Sequence, residues 1–373
     1  MKFRLERDVL ADAVAWAART LPSRPSMPML AGLLIDAAPG GLTLSSFDYE
    51  VSARVAVAAD VDEPGRVLVS GRLLADIARA LPAAPVTVSS EGSRVEVRCG
   101  RSSFTLPTLP VEDYPSLPDM PGSTGTIAGD LFAAAVAQVA IAAGRDDTLP
   151  TLTGIRIEIS DTTITLAATD RYRLAVREFT WNPEHTGLDT NALVPARTLA
   201  DTAKSLAQCD LVHLALSASG AGEGLMGFEG DGRRMTTRLL DGEFPKYRAL
   251  LPSEALTVAT IDTSALVDAV KRVALVAERN TPVRLKFSGG EVELSAGAGE
   301  EAQASEAVEC DVNGDAIEIA FNPQYLLDGL SAVDNTSTRL SFTTSTRPAV
   351  LTGGNGDLAA SYRYLLMPVR LSG

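Results

Sequence analysis

The chain has 373 residues, 46% of them hydrophobic and 21% charged, with a formal net charge of −14. That length exceeds one ordinary core and suits two or three domains of a globular protein rather than a disordered chain. No apolar run reaches the ~20 residues of a membrane span, and the acidic balance speaks against a conventional basic nucleic-acid binder, though not against a local basic face.

The N-terminus, MKFRLERDVL, mixes charge with apolar residues and lacks the apolar centre of a signal peptide, so a cytoplasmic location is expected. The first helix is predicted at RDVLADAVAWAA. Alternating strands follow at GLTLSSF and EVSARVAVA, and LVSGRLLADIARALP from Leu68 reads as strand, turn and short amphipathic helix. The turn-rich PDMPGSTGT, near 118–126, ends this stretch.

The pattern then begins again. GDLFAAAVAQVA (129–140) repeats the first helix, TITLAAT and YRLAVREF repeat the strands, and LVPARTLADTAKSLA from Leu193 repeats the second helix. After the loop LLPSEALT it begins a third time, with TSALVDAVKRVA (263–274), EVELSA, AVECDV and AFNPQYLLDGLSAV. The Ala-Val pairs at Ala13-Val14, Ala135-Val136 and Ala269-Val270 mark the first helices, and Asp76, Asp201 and Asp328 the second. An Asp, Ser or Thr near each first-helix start is expected to cap it. The fold class is therefore α+β: three repeated domains, 1–122, 123–254 and 255–373, each with two helices and about eight antiparallel strands.

Chemistry is hard to find in this chain. Cys99, Cys209 and Cys310 are scattered singly and read as buried free thiols; His185 and His213 are the only histidines. Gly222, Gly224 and Gly227 fit G-x-G-x-x-G, but strand and turn residues follow where a helix would be needed, so a hairpin loop is the reading. No catalytic site, metal site or cofactor is expected. A triplicated module favours a protein that works by shape over an enzyme, although a hydrolase or transferase on a repeated scaffold stays open. Basic residues recur in or beside the repeated helices: Arg19, Arg24, Arg72, Arg79, Arg145, Arg197, Lys204, Lys271, Arg272 and Arg279. They are either a salt-bridged helix surface or a shared positive face.

Several segments carry a resemblance. SRPSMPMLAGLLI (23–35), SSFDYE (45–50), GRSSFTLPTLPVEDYPSLP (100–118), TDRYRLAV (169–176), LLDGEFPKYRALLP (239–252) and YLLMPVRL (364–371) together resemble the bacterial DNA polymerase III beta subunit, the replicative sliding clamp. Read alone, LLMPVRL is a final strand and TDRYRLAV a strand entering a turn. The resemblance implies the DNA clamp fold: a homodimeric head-to-tail ring of six domains, helices inside and sheets outside. Geometry agrees, because domains of about 120 residues are ~35 Å wide; three touching in a ring leave a gap of ~5 Å and six leave ~35 Å, room for a duplex. Such a ring holds DNA by topology and needs only weak, sequence-independent phosphate contacts.

By the same resemblance, Leu152, Thr169, Arg171, Tyr172, Arg173, Leu174, Pro245 and Leu250 line an outer pocket. Asn322, Tyr325, Leu365, Met367, Pro368, Val369 and Arg370 join it from the third domain. The pocket would take short linear peptides from the polymerase III alpha subunit, the clamp loader and repair proteins. Arg173 and Arg370 would offer hydrogen bonds to the peptide, and Met367 an adaptable apolar contact. Arg171-Tyr172 stands where many relatives carry Gly-His, and Ala249 where many carry arginine. Arg24, Arg72, Arg79, Arg145, Arg197, Lys271 and Arg279 are the expected DNA contacts. A clamp paralogue with altered pocket affinity is the alternative.

Overall fold

A computed structural model describes residues 1–217, 224–277, 281–297, 302–354 and 360–370. Among these, α1 (Arg7–Ala17), α3 (Gly129–Ala140) and α5 (Thr263–Val273) are the first helices of the three repeats, and α2 (Gly71–Ala80), α4 (Ala196–Ser205) and α6 (Pro323–Ala332) the second. The three Ala-Val pairs are all buried. A methyl beside a β-branched side chain lets each first helix lie close on its sheet while leaving its polar stripe in water.

The caps are less uniform than the sequence suggests. Asp262 does cap α5, its Oδ1 accepting from the Ala265 amide at 2.8 Å. Asn322 caps α6, accepting from the amides of Gln324 (2.9 Å) and Tyr325 (3.2 Å). α1, however, is preceded by Glu6, whose side chain makes no capping bond. Asp8 sits inside that first turn, where it pairs with Arg7 at 2.9 Å and opposes the helix dipole.

The described chain packs as two compact units that cut across the repeats, residues 1–129 with 208–239 and residues 130–207 with 240–373. In the first unit, the strands of repeat one form an antiparallel sheet that continues through Val51–Val57 into Arg233–Arg238, Leu225–Gly230, Val212–Leu216 and Ser123–Ile127 of repeat two. The join is polar at one point: the buried hydroxyls of Ser52 and Thr236 meet at 2.6 Å.

In the second unit, the sheet runs in the order Asp189–Pro195, Gly154–Ser160, Thr163–Thr169, Arg173–Thr180, Tyr362–Leu366, Ala349–Gly353, Ser337–Phe342, Thr257–Asp262, Ala304–Asn313, Glu291–Ala296, Val283–Ser288 and Ile317–Phe321. Here the join is Arg173–Thr180 on Tyr362–Leu366, with Arg173 opposite Leu366 and Leu174 opposite Leu365. Each repeat thus passes its sheet to the next through corresponding strands, which is why packing units and sequence repeats do not coincide.

On one face of that second join, Ala167, Leu174, Val176, Leu193, Phe244, Tyr247 and Leu365 form a buried cluster; each large side chain there contributes roughly 1.5–3 kcal/mol by leaving water. On the other face α6 lies close, because Gly329 leaves room for the Tyr364 ring: a Cβ there would stand 2.4 Å from Tyr364 Cε1.

Cys99 and Cys209 are buried, as expected, whereas Cys310 is only half-buried. Burial and the Asp231 carboxylate push the Cys209 thiol up to about 11, which keeps it unreactive. The strand Leu225–Gly230 follows the G-x-G-x-x-G stretch in place of a helix, while Gly222 lies outside the described residues. No helix among the described residues is long and apolar enough to cross a membrane.

Candidate functional site

The hairpin between Thr163–Thr169 and Arg173–Thr180 turns within Asp170-Arg171-Tyr172. One carboxylate organises it: Asp170 Oδ1 accepts from the amides of Tyr172 (3.0 Å) and Arg173 (3.1 Å). The buried Thr169 hydroxyl donates to the Arg173 carbonyl at 2.7 Å. Arg171 pays for the tightness, sitting at φ +80° where glycine is at ease. Repeat one contains the same turn: Asp48 Oδ1 accepts from the Glu50 and Val51 amides at 3.0 and 2.7 Å, with Tyr49 at φ +77°.

Arg173 leaves this hairpin pointing at α6. Its side chain is only 6% exposed; Nε reaches Asp170 Oδ2 at 2.9 Å and Nη1 reaches Asp328 Oδ2 at 2.5 Å. The guanidinium also lies 4.3 Å from the Tyr325 ring centroid. Burial alone would pull its pKa down, but Tyr364, Asp328 and Asp170 outweigh that and raise it, so the charge is permanent. Tyr364, whose own ionisation burial makes still harder, donates its hydroxyl hydrogen to the Tyr325 carbonyl at 2.8 Å. One cation therefore ties the hairpin of repeat two to the helix of repeat three.

Above this tie is a cavity of about 730 Å³, lined by Ala143 to Asp146, Leu149, Leu152, Asp170 to Arg173, Gln324, Tyr325 and Asp328. The volume suits a few side chains of a bound segment. The Tyr172 and Tyr325 rings stack on one another in its wall at 6.1 Å between centroids, and Tyr172 is 54% exposed. The chain beyond Tyr362–Leu366 flanks this wall, since the Met367 amide donates to the Tyr172 carbonyl (2.9 Å) and the Val369 amide to the Ala320 carbonyl (2.8 Å). Met367 and Val369 keep exposed apolar side chains.

A second cavity of about 650 Å³ adjoins the segment 242–249. Phe244 and Tyr247 root that segment in the buried cluster, with their rings edge to face at 6.1 Å. The Tyr247 hydroxyl donates to Glu158 Oε2 at 3.0 Å, and Arg248 reaches the same oxygen at 2.5 Å. Burial would raise the Glu158 pKa, but Arg156, Arg248 and Tyr247 together hold it below the usual carboxylate range.

Of the expected pocket residues, the structure brings Leu152, Arg171, Tyr172, Arg173 and Tyr325 to the first cavity. Thr169, Leu174 and Leu365 are buried, the two leucines in the apolar cluster with Phe244 and Tyr247. Pro245 lines the second cavity instead, and Leu250 is exposed at the end of a 3-10 turn, Tyr247–Leu250. Asn322 acts as the α6 cap. Pro368 is half-buried and Arg370 exposed. Arg173, expected to offer hydrogen bonds to a ligand, directs Nε at Asp170 and Nη1 at Asp328. Asp170 and Asp328 were missed as site residues, although Asp328 is the position on which the second helices align. Its counterpart Asp76 pairs only with Arg79, at 3.5 Å on the surface.

Arg24, Arg72, Arg79, Arg197 and Lys271 are exposed, and Arg72 Nη2 donates to the Pro22 carbonyl at 3.1 Å, holding α2 against the loop that carries Arg24. Arg272 is engaged by Glu306. Arg145 lies beyond the end of α3 and lines the first cavity. Arg279 lies outside the described residues. Among the described residues, no group of His, Cys, Asp and Glu is placed to hold a metal ion.

Three family models match the chain in succession: the N-terminal domain of the DNA polymerase III beta subunit over residues 1–118, its central domain over 126–246 and its C-terminal domain over 248–370. The chain belongs to the DNA polymerase III beta subunit family. Among curated beta subunits, the beta sliding clamp of Streptomyces coelicolor is 64% identical over 100% of both chains, and the beta sliding clamp homolog GriR of Streptomyces muensis is 47% identical over 99% of each. Among solved structures, the sliding clamp of Bacillus subtilis superposes with a TM-score of 0.92 at 26% identity, over 100% of both chains. The Pseudomonas aeruginosa sliding clamp bound to griselimycin gives 0.92 at 28%, again over 100% of both. The DNA clamp fold that the resemblance implied is therefore the fold of this chain.

Proposed function

We propose that the chain is a sliding clamp: a ring-forming, non-catalytic processivity factor that encircles duplex DNA and tethers DNA polymerase III and other replication and repair proteins. The observation that carries this is the end-to-end match to beta sliding clamps, at up to 64% identity.

The ring needs a second copy, and Leu275, the most exposed of the large apolar side chains among the described residues at 84%, and Phe104 at 37% are available to be covered by it. The strand Ala304–Asn313 buries none of its residues, which suits a surface awaiting cover. Arg24, Arg72, Arg79, Arg197 and Lys271 supply weak phosphate contacts inside the ring, and the work is done in the cytoplasm. Partner proteins insert a short linear segment into the 730 Å³ cavity, its apolar anchor against Leu152, Tyr172 and Met367.

The decisive experiment loads the protein on nicked circular DNA and then linearises the circle. A clamp stays on the circle and runs off the linear product, whereas retention on linear DNA means adhesion and overturns the proposal. Light scattering gives the accompanying mass, expected at twice the 39.1 kDa of one chain.

A further inference from the structure

The mouth of the first cavity holds an unusual expense of backbone conformation. Arg171 occupies the left-handed region at φ +80° although its side chain makes no ion pair among the described residues. Repeat one makes the same turn with Tyr49 at φ +77°, so it is the charge at this position, not the turn, that singles out Arg171.

The charges lining the cavity balance in number but not in place. Asp170 and Asp328 are sunk against Arg173 on the floor. That leaves Arg145 and Arg171 at the exposed mouth against Asp146 alone. Asp146 is itself committed, its Oδ1 accepting from the Thr148 hydroxyl (2.6 Å) and amide (3.0 Å). Those two bonds, and after them the charge of Arg171, keep its carboxyl acidic. The mouth thus carries an unneutralised positive charge directly beside the exposed Tyr172 ring, while the floor does not.

The geometry points to Arg171, supported by Arg145, as a specificity-determining residue that selects linear peptides carrying a carboxylate side chain next to their apolar anchor. This rests on the reading of the cavity as the peptide site and adds the charge of its preferred occupant. A peptide glutamate or aspartate lying over Arg171 would meet a guanidinium that no protein carboxylate has claimed, and a planar fork suited to it.

The test compares two labelled synthetic peptides with the same pair of leucines, one flanked by glutamate and the other by glutamine, by fluorescence anisotropy. On the unchanged protein the glutamate peptide is expected to bind about five-fold more tightly at low salt, an advantage that shrinks as ionic strength rises. Arg171→Gln is expected to bring the ratio of the two affinities close to one, and Arg171→Lys to retain a good part of it. Equal binding of the two peptides to the unchanged protein, or a preference that survives Arg171→Gln, overturns the assignment of Arg171 and leaves the pocket standing. Binding of neither peptide overturns the pocket and this proposal together.

Discussion

Removing the Arg173 guanidinium is the sharpest perturbation this site allows. Arg173→Ala leaves two carboxylates facing each other, with Asp170 at 13% and Asp328 at 25% side-chain exposure. Stranding a partner of a buried ion pair costs about 3–5 kcal/mol. Water can reach Asp328 in part, so the expected loss is about 2–4 kcal/mol. In a packed unit of this size each kcal/mol lowers the melting temperature by ~2–4 °C, which places the drop at ~5–15 °C. Thermal unfolding followed by circular dichroism reads it directly. A double-mutant cycle with Asp328→Asn then separates the tie from general damage; its coupling is expected to exceed ~1 kcal/mol. A loss below ~1 kcal/mol, or a coupling near zero, would show that the cation is ornamental and that hairpin and helix are held by apolar packing alone.

Other perturbations test neighbouring parts of the same account. Arg171→Gly exchanges a left-handed residue costing roughly 1–2 kcal/mol for a glycine that loses roughly 0.5–1 kcal/mol more entropy on folding; a gain of up to ~1 kcal/mol in chemical denaturation is expected, together with weaker selection of acidic peptides. Asn322→Ala removes the α6 cap and is expected to cost about 1 kcal/mol and to weaken peptide binding through Tyr325, read by calorimetry on both counts. Gly329→Ala drives a methyl into the Tyr364 ring and is expected to destabilise by roughly 1–3 kcal/mol. For pH, Glu158 has a lowered pKa, so its stabilising contribution is present above the unfolded carboxylate value near ~4.3 and is lost as pH falls through the lower folded value; Glu158→Gln is expected to flatten the acid limb of the stability profile in that window.

The architecture was readable because each structural period left a period in the sequence. The Ala-Val pairs marked the buried faces of α1, α3 and α5, and the strands alternated where one side of a sheet is covered. The tie at Arg173 was not readable, since Asp170 is three residues away but Asp328 is 155 residues away, and nothing in a linear pattern says that they share one cation. The turn strain was half visible: Asp before a positive-φ position is a known turn device, yet neither Tyr49 nor Arg171 advertises a left-handed backbone as glycine does. The place of Arg145 was not readable for a related reason. It follows α3 closely in sequence, but the chain leaves the helix at Ala140 and carries it to the cavity mouth.

The cross-tie has a consequence for how the second unit answers its ligands. Tyr172 belongs to one repeat and Tyr325 to the next, and their rings stack on one another, so a guest lying against both braces the seam as well as filling a hole. Occupancy and seam rigidity are then two sides of one equilibrium: a bound peptide raises the free energy needed to prise the repeats apart, and a loosened seam sheds its peptide by the same factor. Exchange of one occupant of the cavity for another is in this way coupled to the mechanical soundness of the unit that carries it.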